Sequence, residues 1–248
     1  MMNSVLFGNG YWGHIVKEKI SDLTNLTMVI DSQSDIESFR GIDIAFVCSS
    51  TDSHYDIVSR CLSDGIKFIF CEKPFTGDYV KACELFDMAD KFGADIFVDN
   101  VFLFRNEIAS WSDITGTRFR FMWNKNGCNR REGIYNSLLY HDLYLLSKLS
   151  GTSEWRLVYS AGNGRDWYAE MENGDRKCSF RYDVGSRSSG KWIIIDGRVI
   201  NLSLPTNDPL GECIVNFLDG KMDLEDNRRV TLSTLQMMNY IKEKTKSA

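Results

Sequence analysis

Short apolar runs that alternate with amphipathic helical patterns predict an α/β protein for roughly the first hundred residues of this 248-residue chain. Five such runs end at Phe7, Ile30, Cys48, Cys71 and Val98. Strands separated by helices form right-handed βαβ units, and repeated units give a doubly wound parallel sheet. The carboxyl ends of the strands then share one edge of the sheet, where ligands bind.

The individual elements follow from local pattern. The predicted strands are 4–7, 26–30, 42–48, 66–71 and 94–98, and the predicted helices are 14–20, 55–63 and 78–92. The strands are short and rich in Val, Ile and Phe, whereas the helices repeat apolar residues at three- or four-residue intervals.

The second half has a different pattern. Strand-like runs at 156–159, 177–182, 192–195 and 199–202 predict a mostly antiparallel sheet. The glycine- and serine-rich segment 185–190 predicts a hairpin tip. We therefore expect a first domain at 1–102 and an α+β second domain at 103–248, with the option that the C-terminal helix packs back on the first domain.

Composition excludes several classes of protein. A net charge of −5 without a basic run argues against nonspecific binding to nucleic acid. No apolar stretch approaches the ~18 residues of a membrane span, and the N-terminus leads directly into a strand, so we expect a cytoplasmic protein without a signal peptide. Seven cysteines and three histidines contain no CxxC pair, and we expect no metal site.

The glycine-rich segment 8–13, GNGYWG, lies between the first strand and the first helix. Gly8 permits a tight turn, Gly10 lets the backbone approach a pyrophosphate, and Gly13 allows close packing of helix on strand. A helix N-terminus also attracts phosphate. The segment predicts a dinucleotide-binding turn, and the alternative is an ordinary turn that contains glycines.

An acidic residue, Asp31, follows the second strand, 18 residues after Gly13. This spacing is near the roughly 20 residues expected of the acid that binds the ribose hydroxyls. A carboxylate there repels a 2′-phosphate, which favours NAD over NADP. NADP is the alternative, because Ser32, Gln33 and Arg40 could adapt to it.

The segment Glu72-Lys73-Pro74 follows the fourth strand. Hydride leaves an alcohol carbon more easily when the hydroxyl group loses its proton, so a base or proton relay must touch that oxygen. The side chain of Lys73 could orient the hydroxyl, stabilise alkoxide charge or act as the base. A surface lysine at the end of a strand is the alternative.

Four segments resemble motifs of the Gfo/Idh/MocA oxidoreductases, the family of glucose-fructose oxidoreductase and inositol dehydrogenase. They are GNGYWG at 8–13, SSTDSH at 49–54, EKP at 72–74 and YHDLYLLSKLSG at 140–151. Segment 49–54 keeps the family's His but has Ser in place of Thr and Pro. The resemblance implies an N-terminal Rossmann domain, a cis peptide before Pro74, and a shortened C-terminal α+β domain.

The resemblance also implies an NAD(P)-dependent oxidoreductase that acts on a sugar, an inositol or a nucleotide sugar, with Lys73 and His141 as catalytic residues. The family usually has Asp four residues before this His, where the chain has Ser137, and Tyr144 replaces a second Asp. These departures leave two alternatives, a dinucleotide-binding protein without redox turnover and a redox-neutral epimerase that retains NAD.

The expected partners are a small sugar or nucleotide-sugar substrate and further copies of the chain in a dimer or tetramer, with no nucleic acid and no membrane. The expected cofactor-binding residues are Gly8, Asn9, Gly10, Tyr11, Trp12, Gly13, Asp31, Ser32, Ser49, Ser50, His54, Glu72, Lys73 and Asn100. The expected substrate-binding residues are Lys73, Asn100, Arg131, Ser137 and His141.

Overall fold

A computed structural model describes residues 1–31, 38–109, 116–127, 133–151, 154–163 and 165–246. The chain forms two compact units. The first contains Met1–Asp99 and Leu210–Leu232, and the second contains Asn100–Pro209 and Ser233–Ala248. We expected the first domain to end at residue 102. In the structure, the first segment of the first unit ends at Asp99, and the unit also contains Leu210–Leu232.

The described part of the first unit contains a parallel sheet of five strands in the order β2-β1-β3-β4-β5. The strands are β1 Asn3–Phe7, β2 Asn25–Ile30, β3 Ile44–Val47, β4 Phe68–Cys71 and β5 Asp95–Val98. Its helices include α1 Tyr11–Ile20, α2 Thr51–Ser63 and α3 Tyr79–Phe92. Parallel pairing of every neighbouring strand confirms the predicted doubly wound sheet.

Local chemistry sets the ends of these helices. Helix α2 begins at Thr51, four residues before its predicted start, because Ser50 is extended and takes the N-cap position. Asp78 caps α3 by accepting hydrogen bonds from the amides of Val80 and Lys81. Helix α3 ends at Gly93, whose φ of 60° is favourable for glycine.

The segment Leu210–Leu232 joins the core of the first unit through Phe217, which lies on helix α6 (Pro209–Leu218). Its ring centroid lies 5.9 Å from that of Phe70 and 5.5 Å from that of Phe97. The side chain of Asn227 bonds both the amide and the carbonyl of Val98, each at 2.9 Å. The ring of Phe217 thus packs against side chains of β4 and β5, and Asn227 bonds backbone groups of β5, the outermost strand of the sheet.

The described part of the second unit contains a six-stranded sheet in the order β11-β10-β6-β9-β8-β7. The strands are β6 Arg118–Asn126, β7 Arg156–Gly162, β8 Asp166–Asn173, β9 Arg176–Asp183, β10 Gly185–Ile195 and β11 Arg198–Asn201. All neighbours pair antiparallel except β6 and β9, which pair parallel. The mostly antiparallel sheet is therefore confirmed.

Helices complete the two units. They are α4 Asn106–Ala109, α5 Tyr140–Ser150, and α7 Leu224–Lys246, which contributes residues to both units. A π-helical turn, Tyr135–Leu139, leads directly into α5. The helices within the described ranges include none long and apolar enough to cross a membrane.

The prediction of a hairpin tip at 185–190 is wrong. Strand β6 lies between β9 and β10, so these two consecutive strands do not pair with each other. The segment instead begins β10, and its register against β6 shifts between Gly185 and Gly190. Glycine and serine favour a turn locally, but pairing with a strand about 65 residues earlier decides the structure here.

Candidate active site

The residues that follow four strands of the first sheet lie along one edge. The amides of Gly8, Cys48, Glu72 and Asp99 each donate to a carbonyl of the neighbouring strand at 2.7 to 2.8 Å. Asp31 follows β2 and is exposed. The carboxyl edge of the sheet therefore holds the glycine-rich turn, Asp31, the serines after β3, and Lys73.

Two glycines of the turn are required by the chain's own backbone. Gly8 has a φ of 98°, and a Cβ there would lie 2.6 Å from the carbonyl oxygen of Cys48. A Cβ at Gly13 would collide with the carbonyl oxygen of Gly8. These positions exclude any larger residue whether or not a ligand binds.

Gly10 differs, because a Cβ there would have no heavy atom of the described residues within 4 Å. It is the N-cap of α1, and as a glycine it supplies no side chain to cap the amides of the first turn. Open space beside uncapped amides fits the pyrophosphate of a dinucleotide. The turn is therefore compatible with NAD or NADP.

The side chains of the turn offer further contacts. Asn9 is exposed, and Tyr11 is 83% exposed. The indole Nε1 of Trp12 is buried and has no hydrogen-bond partner among the described residues. An unpaired buried donor costs about 1–3 kcal/mol, which favours a role in binding a ligand.

His54 connects the turn after β3 with the turn after β4. Its Nδ1 lies 3.0 Å from the carbonyl oxygen of Pro74, and its Nε2 lies 3.1 Å from that of Ser49. The hydroxyl of Ser53 also donates to Oγ of Ser49 at 2.8 Å. His54 thus acts within the protein and supports both turns.

The peptide bond between Lys73 and Pro74 is cis, which confirms the expectation from the resemblance. The side chain of Lys73 is half-buried. Its backbone amide donates to Oε2 of Glu72 at 3.2 Å. Lys73 therefore lies at the end of β4, where a ligand at the edge of the sheet can reach it.

The carboxyl groups of Glu72 and Asp99 are both buried, and the charge of Asp99 acts on Glu72. Burial and the charge of Asp99 raise the pKa of Glu72 well above its ordinary value, against the opposing effect of Lys73. The thiol of Cys213 donates to Oδ1 of Asp99 at 3.7 Å. The structure thus places this expected cofactor residue in a buried carboxyl pair.

His141 lies in an aromatic pocket of the second unit and is 7% exposed. Trp123 stacks on its ring at a centroid distance of 5.9 Å, and Phe102 meets the ring edge-on at 4.8 Å. Its Nδ1 lies 3.3 Å from the hydroxyl oxygen of Tyr144. These contacts define the orientation of the imidazole.

A buried ion pair lies beside this pocket. Nζ of Lys191 lies 2.7 Å from Oδ1 of Asp142, and 4.0 Å from the ring centroids of both Phe102 and Trp123. Tyr182 donates to Oδ2 of Asp142 at 2.9 Å. Burial raises the pKa of Asp142, although Lys191 and the hydrogen bonds to Asp142 act in the opposite direction.

Sequence reasoning missed this pair because Asp142 and Lys191 are distant in the chain. The signals that were present were an Asp directly after His141 in an apolar helix and a Lys directly before an apolar strand. A charged residue in such a position is rarely buried unless it is paired. The sequence around either residue, however, does not identify the other as its partner.

Two expected substrate residues carry unsatisfied polar atoms. Asn100 is fully buried, and neither its Oδ1 nor its Nδ2 has a hydrogen-bond partner among the described residues. The buried Oγ of Ser137 likewise has none within the described ranges. Ser32 and Arg131 lie outside the described residues. Among those described, no group of three His, Cys, Asp or Glu side chains could hold a metal ion.

Residues 16–100 match the model of the Gfo/Idh/MocA family, which is described as an oxidoreductase family with an NAD-binding Rossmann fold. The match spans 85 of the 248 residues, so it shows a likeness to this family within that segment of the chain. The matched segment includes Asp31, His54, Lys73 and Asn100, whereas the glycine-rich turn precedes it.

Known proteins extend the comparison. An uncharacterised oxidoreductase of Schizosaccharomyces pombe is 44% identical over 48 residues, which are 19% of this chain and only 13% of that protein. The fold resembles UDP-N-acetylglucosamine 3-dehydrogenase GnnA from Acidithiobacillus ferrooxidans, with 18% identity, 96% of each chain covered and a TM-score of 0.78.

A second solved structure is the WlbA (WbpB) dehydrogenase from Thermus thermophilus in complex with NAD and alpha-ketoglutarate. It is 14% identical, with 96% of this chain and 95% of that chain covered and a TM-score of 0.80. At these identities, the likeness to both structures shows the fold alone. It extends through both units of the chain.

Proposed function

We propose that this protein is an NAD(P)-dependent oxidoreductase that transfers hydride between the nicotinamide and a hydroxyl-bearing carbon of a sugar, an inositol or a nucleotide sugar. The observation that carries the proposal is the open backbone at Gly10, beside uncapped amides of α1, on the same sheet edge as Lys73. This arrangement joins a phosphate-binding turn to a side chain suited to proton chemistry.

The proposed cofactor is NAD. The turn at 8–13 would hold the pyrophosphate, and the exposed carboxylate of Asp31 would accept hydrogen bonds from the ribose hydroxyls. The same carboxylate would repel the 2′-phosphate of NADP. Ser49, Ser50 and His54 would form or support the neighbouring wall, since His54 bonds the carbonyl of Ser49.

A bound nicotinamide supplies the acceptor for the hydride. The alcohol carbon then loses hydrogen with its electron pair, the hydroxyl loses its proton, and a carbonyl group forms. In this proposal Lys73 donates a hydrogen bond to the reacting oxygen and stabilises its developing charge. His141 in its neutral form accepts the proton and becomes imidazolium.

The unsatisfied polar atoms of Asn100 and Ser137 support the proposal that the substrate is rich in hydroxyl groups. Leaving a buried polar group without a partner costs about 1–3 kcal/mol, so these groups are expected to bond a ligand or water. A nucleotide sugar is one such ligand, and the name of the enzyme from Acidithiobacillus ferrooxidans supports this class by analogy of fold.

A second candidate function is dinucleotide binding without net redox turnover, either in a regulatory subunit or in an epimerase that retains NAD. The observation that favours it is Ser137. A serine hydroxyl one helical turn before His141 cannot supply the charge of a carboxylate. The two candidates differ in whether reduced cofactor is released.

The first experiment is a calorimetric titration of the purified protein with NADH and with NADPH. The variant Lys73→Met is compared with Lys67→Met, which makes the same change at an exposed lysine bonded to the carbonyl of Phe92. We expect NADH to bind the wild type and both variants. Binding of neither dinucleotide by the wild type would refute the proposal.

Turnover is then screened with NAD and a panel of UDP-sugars, free sugars and inositols, by following the absorbance of reduced cofactor. We expect turnover in the wild type and in Lys67→Met, and a loss of about 100-fold or more in Lys73→Met. NADH binding without release of reduced cofactor from any compound would favour the second candidate.

A further inference from the structure

The hydroxyl of Tyr144 lies where it can control the imidazole of His141. Both residues are on α5, three positions apart and therefore on neighbouring positions of one helix face. The hydroxyl oxygen lies 3.3 Å from Nδ1 of His141. It also accepts a hydrogen bond of 3.0 Å from the backbone amide of Phe102.

The surrounding side chains leave little freedom for either ring. Tyr144 is fully buried, and His141 is held between Trp123 and Phe102. The carboxylate of Asp142, the next residue on α5, is engaged elsewhere. Its Oδ1 bonds Lys191 and Trp123, and its Oδ2 accepts from Tyr182.

The tautomer of His141 follows from the proposed function, on which this inference rests. An imidazole that accepts a substrate proton at Nε2 must carry its own proton on Nδ1. That Nδ1–H group needs an acceptor, and the oxygen of Tyr144 lies within hydrogen-bond distance. The amide of Phe102 fixes this oxygen from a second direction.

We propose that Tyr144 is a positioning residue that accepts the Nδ1–H hydrogen bond of His141 and so keeps Nε2 unprotonated and able to accept a proton. The phenol itself neither gains nor loses a proton. A tyrosine oxygen, rather than a carboxylate, thereby sets the tautomer of this histidine. The buried Lys191–Asp142 pair supports the arrangement by holding the aromatic walls.

Imidazole nitrogen NMR tests the proposal directly. The chain has three histidines, and the spectrum of His141→Asn would assign the signals of His141 by their loss. At a pH where the imidazole is neutral, we expect His141 in the wild type to be protonated on Nδ1. Protonation on Nε2 instead would overturn the proposal, whether or not the protein binds NADH or turns over a substrate.

The variant Tyr144→Phe removes the hydroxyl and retains the ring, which packs against Tyr140 and His141. We expect His141 to shift toward the Nε2–H tautomer, and kcat to fall about tenfold with little change in KM. NADH affinity should stay unchanged, which separates a failure of this inference from a failure of cofactor binding.

The matched control is Tyr135→Phe, which removes a hydroxyl 3.1 Å from Oγ1 of Thr245. This control should retain the Nδ1–H tautomer of His141. An unchanged tautomer in Tyr144→Phe, or the same change in both variants, would show that Tyr144 has only a structural role. If Tyr144→Phe does not fold, the tautomer of the wild type still decides the question.

Discussion

Nδ1 of His54 lies 3.0 Å from the carbonyl oxygen of Pro74, so a side chain of α2 supports the turn that carries Lys73. The other ring nitrogen lies 3.1 Å from the carbonyl oxygen of Ser49. Carbonyl oxygens only accept hydrogen bonds, so each contact requires a protonated nitrogen. The neutral imidazole can therefore make one of the two hydrogen bonds at a time, and imidazolium can make both.

Replacement of His54 should therefore affect both folding and binding. We expect His54→Ala to lower the free energy of unfolding by about 1–3 kcal/mol, because buried carbonyls lose a donor. NADH affinity should fall several-fold, because both turns lie at the proposed site. Urea unfolding and calorimetric titration measure these effects. The control Tyr55→Phe removes an exposed hydrogen bond to Glu84 and should change neither; equal effects in both variants would contradict the prediction.

Alanine substitutions at two glycines of the turn should distinguish a glycine that the fold requires from one that cofactor binding requires. A Cβ at residue 13 would collide with the backbone of Gly8, so Gly13→Ala should destabilise the protein by at least about 2 kcal/mol. A Cβ at residue 10 would have no heavy atom of the described residues within 4 Å. The thermal midpoint of Gly10→Ala should therefore stay within about 2 °C of that of the wild type. It should nevertheless weaken NADH binding about tenfold. Normal binding by Gly10→Ala would argue against a pyrophosphate at this turn.

The parallel sheet was predictable because its signals are local. Each strand is a short apolar run, and each helix has an amphipathic repeat and a cap such as Asp78. The hairpin at 185–190 was predicted wrongly because glycine and serine report only local preference. The insertion of β6 between β9 and β10 depends on pairing between distant segments.

Some features of the candidate site could likewise be predicted from local sequence, and others could not. Gly8 and Gly13 could be predicted because a close backbone approach requires glycine. The burial of Glu72 against Asp99 and the pairing of Asp142 with Lys191 join different strands and helices, and no local pattern identifies such partners. Tyr144 was visible only as a departure from the family motif, whereas its contact with His141 required the structure.

The preference for NAD can be tested at Asp31. The exposed carboxylate follows β2, where the ribose of the cofactor is expected. We expect Asp31→Ser to weaken NADH binding and to reduce the ratio of NADH to NADPH affinity about tenfold, because the repulsion of the 2′-phosphate is lost. Calorimetric titration with both dinucleotides measures the ratio. An unchanged ratio would place the discrimination elsewhere in the chain.

The buried pair of Lys191 and Asp142 should behave non-additively. Loss of one partner leaves a buried charge, so Lys191→Met and Asp142→Leu should each destabilise the protein by about 3–5 kcal/mol. The double variant should lose clearly less than the sum of the two single losses. Urea unfolding of all four proteins gives the coupling free energy. Additive losses would mean that the ion pair contributes no specific interaction.

Glu72 should make stability depend on pH. Burial and Asp99 raise the pKa of Glu72 well above 4.5. As the pH rises above 4.5, Glu72 ionises in the unfolded chain while it keeps its proton in the folded protein, so its contribution to stability falls until the pH passes the raised pKa. Glu72→Gln cannot ionise and should lack this fall, which urea unfolding over a pH series measures. The control Glu18→Gln, at an exposed carboxylate, should follow the wild type. A Glu72→Gln profile parallel to that of the wild type would mean that the folded protein does not retain a proton on Glu72.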